Sequence, residues 1–308
     1  MPDCLTTELP FRLAGGLSSG GIYALVAIGY TLVYGVLQLI NFAHSEIFMA
    51  GILTGYLVLE RIVPEPGVTG QSSGALALAL ALIPAMVVAG LLAVALERVA
   101  YRPLRRRGAP RLAYLISAIG MSLVLSNAVL VWRGNNPETY RSTIGPQTAL
   151  RLGSVTVSNK DLIVIVSALL MVLALELFVR RTRTGRGLRS VAQDAEAAAL
   201  MGVNIDRIIS ITFLLGGLLA GAAGLLFGMS YGRTRFDIGF LPAIKAFTAA
   251  VLGGIGSIRG ALVGGLILGL LENVSAGCFG TQWRDVVAFV ILVGVLMVRP
   301  TGLFGDRT

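Results

Sequence analysis

The chain has 308 residues, of which 55% are hydrophobic and only 13% charged, and it carries a formal net charge of +9. One water-soluble core of this length cannot hide so much apolar surface, so a soluble globular fold is excluded and a bilayer is the expected solvent. The arginines fall in short stretches between apolar runs, with no aromatic-basic platform, which argues for positive-inside bias and contact with anionic lipid and against nucleic-acid binding.

About 20 apolar residues cross the hydrocarbon core. By that measure spans are predicted near 12–38, 46–63, 75–96, 112–132, 161–179 and 207–230, followed by a glycine-broken region at 240–278 and a last span near 284–298. The expected fold is all-α, a polytopic membrane helical bundle of about eight or nine segments, some broken or re-entrant. No linker or charged tract separates a soluble unit, so residues 1–308 read as one membrane domain. The opening MPDCLTTELPF holds Asp3 and Glu8 and no positive cluster, unlike a cleavable signal peptide, so the first helix is expected to stay. Cys4 and Cys278 offer no metal spacing and no disulfide framework.

Between the first two spans lies 41-NFAHSE-46, which contains the only histidine. It is too polar for a helix interior in lipid and too short for a sizeable aqueous loop. Asn41, His44, Ser45 and Glu46 therefore point into the bundle, either lining a substrate path or tying one helix end to the next. Further on, 97-ERVAYRPLRRRGAPR-111 is arginine-rich and marks a cytoplasmic loop, as does 180-RRTRTGRGLRSVAQDAEAAALMGVNIDR-207. Two spans separate these loops, so both face the cytoplasm. The N-terminus and the 60–74 and 133–160 loops then lie outside, with 38–46 at or near the inner half of the membrane. Arg133, Arg141, Arg151 and Lys160 in the outer loop make the asymmetry one of density.

Within the second cytoplasmic loop, 190–200 favours a helix, Gly202 suits its C-terminal cap, and Asn204 can cap the next membrane helix. Asp194, Glu196 and the preceding arginines are then available either to a partner protein or simply to solvent. The later apolar run 245–273 is interrupted by Gly253, Gly254, Gly256, Ser257 and Arg259. Interrupted apolar segments in both halves of a transporter are the best sequence pointer to broken helices lining a path. Lys245 sits at the start of this run, while Glu272 and Asn273 are weaker candidates near the outer end of their helix. Small-xxx-small spacings at Gly16/Gly20, Gly217/Gly221, Gly224/Gly228, Gly260/Gly264 and Gly265/Gly269 predict close helix packing.

Catalytic patterns are missing from the sequence. There is no G-x-x-x-x-G-K-[ST], neither Lys160 nor Lys245 follows a glycine, and a single histidine cannot meet two-histidine motifs. A transport role with no enzymatic activity of its own is expected.

The stretches 23-YALVAIGYTLVYGVLQLINFAHSE-46, 97-ERVAYRP-103, 115-LISAIGMS-122, 199-ALMGVNIDRIISITF-213 and 245-KAFTAAVLGGIGSIRGALVGGLILG-269 closely resemble the permease subunits of Liv-type ABC importers for branched-chain amino acids. The likeness runs almost end to end. It implies a path-forming subunit in the bacterial inner membrane, partnered by a second homologous permease, two ABC ATPases and an extracytoplasmic substrate-binding protein. ATP and magnesium would sit on the ATPases, with no cofactor on this chain. In permeases of this kind an EAA-xxx-G element docks into the ATPase, and 196-EAAALMG-202 has that spacing, which assigns coupling to Arg186, Arg189, Asp194, Glu196, Ala197, Ala198 and Gly202. Asn41, His44, Ser45, Glu46, Lys245, Gly253, Gly254 and Gly256 are the expected substrate path. Two departures stand out: Ser45 where the family usually shows glycine, and Arg259 where proline is common. A related permease for urea or short amides, and a secondary transporter or channel, stay open at this point.

Overall fold

The computed structural model describes residues 9–63, 71–140, 148–152, 155–299 and 301–305. Asp3, Cys4, Glu8 and Arg141 lie outside them. Six helices are long and apolar enough to cross a membrane: α1 (Leu9–Leu37), α3 (Gln71–Leu96, prolonged below), α5 (Arg111–Arg133), α6 (Asn159–Arg181), α9 (Ile205–Tyr231) and α11 (Ile258–Phe279). Around them stand α2 (His44–Ile62), α10 (Phe240–Gly253) and α12 (Trp283–Val298). α2 carries three charged residues, Glu46, Glu60 and Arg61, within its 19 residues, while α10 and α12 are short.

Glycine sets the architecture. α1 and α9 form the buried centre, and their neighbours approach at backbone distance. A Cβ added at Gly265 would come 2.6 Å from Ala24 of α1, and one at Gly20 would come 2.9 Å from the Gly265 carbonyl. The same holds for Gly217 against Gly90 of α3, Gly224 against Ile52 of α2, and Gly264 against Gly253 of α10, each at 2.8 Å. In lipid, where burial of apolar side chains gives no drive between helices, such approach supplies the van der Waals contact that holds a bundle. All five predicted small-xxx-small pairs lie at close contacts, with Gly228 alone among them meeting a side chain, the Tyr140 ring, in place of backbone.

The two faces of the bundle carry different structures. On one side the short strands β1 (Glu138–Thr139) and β4 (Arg233–Thr234) pair antiparallel, beside a β2 (Thr148–Leu152)–β3 (Val155–Ser158) hairpin. Cys278, near the end of α11, is disulfide-bonded, where the sequence showed no disulfide framework. On the other side lie α4 (Arg102–Arg106), α7 (Arg183–Gln193) and α8 (Ala195–Leu200), in the two arginine-rich segments assigned to the cytoplasm.

Two local differences from the sequence reading have clear causes. The stretch after residue 96 continues α3 through a π-helical turn, Glu97–Tyr101, into α4. That turn brings Glu97 and Tyr101 into the interior, where both are almost fully buried. The helix expected over 190–200 is two helices, because Asp194 takes extended backbone angles and its carboxylate caps α8, accepting from the Ala197 N–H at 2.9 Å.

If the glycine contacts hold the bundle together, Gly265→Val should lower thermal stability by about 1–3 kcal/mol, the usual cost of overpacking. Gly120→Val, with open space around it, should be nearly neutral. Thermal unfolding of the purified protein in detergent compares the two.

Candidate functional site: two helix starts inside the bundle

α1 ends at Leu37, and Gln38 takes a left-handed φ of 53° that turns the chain back. The Asn41 side-chain oxygen then accepts from the Ala43 N–H at 3.1 Å and from the Tyr101 hydroxyl at 2.8 Å. α2 starts at His44, whose ring packs edge-on to Tyr30 with centroids 4.7 Å apart and lies against Gly29 and Gly216. Gly216 is about 17 Å along α9 from its cytoplasmic end at 1.5 Å per residue. α2 therefore begins near the middle of a hydrocarbon layer about 30 Å thick.

A second helix begins at the same level. After α9 the chain re-enters through residues 232–239, and Gly239, which precedes α10, lies directly against the Ser45 carbonyl. Two helix N-termini, each with the partial positive charge of unpaired N–H groups, thus meet inside the protein. The apolar run is interrupted at the glycine cluster, as the sequence indicated, and a further helix start, not singled out from the sequence, opens α10. Gly253, Gly254 and Gly256 form the inner turn between α10 and α11. Gly254 and Gly256 have φ of 103° and 102°. Ser257 caps α11, its hydroxyl accepting from the Gly260 N–H, and the Leu303 and Phe304 N–H groups bond to the last carbonyls of α10.

A cavity of about 750 Å3 adjoins the start of α10 and is lined by α1, α9, α10, α11 and α12 and by the 233–238 stretch. Lys245 stands in its wall, 8% exposed, with its ammonium 2.8 Å from Glu272 Oε1 and 2.7 Å from Asp285 Oδ1. Arg284 donates to Asn273 at 2.8 Å. Phe227, Phe240 and Leu241 are among its apolar lining residues. Asn41, His44 and Ser45 do not line this cavity. The Ser45 hydroxyl donates to the Phe42 carbonyl at 2.8 Å and braces the break. Glu46, accepting from Ser122 at 3.0 Å, borders a separate, mostly apolar groove between α2, α3 and α5.

At the cytoplasmic face Asp206, in the first turn of α9, accepts from Arg102, Arg105 and Arg106, at 2.9, 2.6 and 3.3 Å for their closest nitrogens. Arg105 also reaches the buried Glu97 at 3.1 Å, which accepts from Ser210 at 2.8 Å. The π turn is thereby bound to the start of α9. α8 closes in a Schellman motif: Gly202, at φ 82°, donates to the Ala199 carbonyl and Val203 to that of Ala198, and Asn204 then caps α9. Arg186, Asp194, Glu196 and Ala197 are exposed, Ala198 is buried, and Leu200 and Met201 form a bare apolar tip. Arg189 is exposed along its stem and donates to the Val179 carbonyl at the end of α6. Arg259 pairs with Glu176 of α6 at 2.8 Å.

Residues 12–296 match the family described as branched-chain amino acid transport system, permease component. The chain belongs to this family. It is 41% identical to the high-affinity branched-chain amino acid transport system permease protein LivH of Escherichia coli K12, over 96% of this chain and 94% of that protein. It is 42% identical to BraD of Pseudomonas aeruginosa, a permease protein of the same description, over 96% and 95%. An autoinducer 2 import system permease protein, LsrC of Enterobacter sp. 638, is 28% identical over 61% of the chain and 55% of that protein. No solved structure matches the chain. Family and helices together make it a multi-pass permease of the bacterial inner membrane.

Sequence reasoning did not single out Glu97, Tyr101, Asp206, Arg284 or Asp285. Only Glu97 and Tyr101 had a usable signal, a charged residue and a tyrosine at the end of an apolar helix. The Tyr101–Asn41 bond should couple the two residues energetically. Tyr101→Phe leaves a buried amide acceptor short of a donor and is expected to cost about 1–3 kcal/mol, with the Asn41→Ala/Tyr101→Phe double variant losing less than the sum of the singles. Thermal unfolding of the four proteins of that cycle measures the coupling.

Proposed function

We propose that this chain is the path-forming subunit of an ATP-binding-cassette importer for the branched-chain amino acids leucine, isoleucine and valine. The observation that carries the reading is the end-to-end likeness to LivH and BraD, whose names give that substrate class. The geometry suits the task. A helix start at mid-depth, beside a cavity with groups of both signs and apolar lining residues, suits a small zwitterion with an aliphatic side chain. Counting α2, α10 and α12 with the six long helices gives nine membrane segments in one domain, of which α2 and α10 begin at mid-depth.

The partners follow from the division of labour in such importers: a second, homologous permease, two ATPases that bind ATP and magnesium, and an extracytoplasmic binding protein. In this reading the ATP and magnesium belong to the ATPases and no cofactor is assigned to this chain. The loop over 180–207 is the coupling element. Its exposed Glu196 and Arg186 and the bare Leu200–Met201 tip form a surface for an ATPase, and the Schellman turn at Gly202 fixes how that tip is presented. Nucleotide-driven closure of the ATPases would move this tip and rock the bundle between outward-open and inward-open states. In that motion His44, Asn41, Ser45 and Glu46 hold the first helix break together, and Gly253, Gly254 and Gly256 give the inner turn its freedom.

Uptake of radiolabelled leucine by vesicles containing the full complex should require this chain and ATP, and should be competed by excess valine but not by urea. Competition by urea, or no leucine uptake, would overturn the substrate assignment. Glu196→Lys and Gly202→Val, the latter forcing a branched side chain to φ 82°, should leave the protein inserted yet lower substrate-stimulated ATP hydrolysis severalfold. Unchanged hydrolysis would remove the coupling role.

A further inference from the structure

Glu272 is the most fully enclosed carboxylate of the cavity, 1% exposed. Its Oε1 takes the Lys245 ammonium at 2.8 Å, with Arg284 Nε farther off at 3.8 Å, yet its Oε2 has no hydrogen-bond partner. The Tyr23 hydroxyl faces the same carboxylate and interacts with it, short of a formed hydrogen bond. A buried carboxylate oxygen without a donor costs free energy unless something else fills the place. Lys245, 9% exposed along its side chain, is held by a second carboxylate, Asp285, which is half exposed and sits in the first turn of α12. The cavity therefore offers one unused acceptor deep inside and one cation whose outer partner is easily replaced.

We propose, building on the amino-acid reading above, that this ion triad is the amino-acid binding site: Glu272 takes the α-ammonium on its free Oε2, and the α-carboxylate displaces Asp285 from Lys245. The charges balance without any proton transfer, since a zwitterion enters between an existing cation and an existing anion. Phe227, Phe240 and Leu241 also line the cavity and offer apolar surface to a branched aliphatic chain. The displacement has a mechanical consequence. The Lys245–Asp285 contact ties α10 to α12, so an arriving carboxylate loosens that tie and moves α12 only when substrate is present.

The test uses the assembled transporter without its binding protein, so that recognition by the permease is read alone. A cysteine at Leu241, half exposed on the cavity wall, is alkylated with a charged maleimide, and the concentration of ligand that slows alkylation is measured after confirming that this variant complex takes up leucine once the binding protein is added back. Leucine should protect, while 3-methylbutylamine and 4-methylpentanoate, which each lack one of the two charges, should not. Glu272→Gln should weaken protection by leucine about tenfold or more, the scale of one lost charged hydrogen bond. Asp285→Asn should strengthen it, because the competitor for Lys245 is gone, an outcome that a purely structural ion pair would not give. Equal protection in Glu272→Gln together with no gain in Asp285→Asn would overturn the site. So would a failure of leucine to protect in a complex that transports it. Absence of leucine uptake by the unmodified complex would instead overturn the functional reading, and this inference with it.

Discussion

Everything in this fold depends on one constraint of the bilayer: backbone N–H and C=O groups cannot be left unpaired in hydrocarbon. A helix that starts halfway through the membrane exposes several such N–H groups, so it must start inside protein. α2 and α10 both start there, and the rest of the architecture makes room for them. Glycines let α1, α3, α9 and α11 close around the two starts at backbone distance. At the first break the Asn41 side chain takes the Ala43 N–H and is itself held by Tyr101. What remains between the start of α10 and the outer face is a cavity whose walls carry charge, which lipid would not tolerate on the outside of the bundle.

The same elements connect the cytoplasmic surface to the interior by direct contact. α8 leads through the Asn204 cap into the first turn of α9, where Asp206 gathers three arginines. One of these, Arg105, also holds Glu97 in the π turn, and the same turn carries Tyr101 to Asn41. A displacement of the coupling tip therefore acts on rigid, charge-bound helix ends next to the first break. Exposed surface ion pairs are individually weak, but this cluster is partly buried and shares its acceptors, so its members stand or fall together.

Much of the architecture was legible in the sequence because membrane spans and close helix packing leave strong local marks. Apolar run lengths located the long helices, and glycine spacing located their contacts. The Gly202 and Asn204 caps could be read because capping is local chemistry. The first break was visible as polar residues between apolar runs. The interruption at 253–256 was visible as a glycine cluster and is a turn braced by the C-terminal segment, while the helix start at Phe240 was not, because the re-entrant 232–239 stretch looks like an ordinary outer loop. Asp194 likewise reads as an exposed charge until its backbone angles show that it ends one helix and caps the next. The Lys245–Glu272–Asp285 triad joins three different helices, and no spacing in one sequence records which charges will face one another.

Electron cryomicroscopy of the complete transporter in a lipid nanodisc at saturating leucine tests the central claim most directly. Ligand density is expected between Lys245 and Glu272, with Asp285 withdrawn from Lys245 and the starts of α2 and α10 still together in the interior. Leucine bound elsewhere, with the triad intact, or either helix starting at the membrane surface, would contradict it.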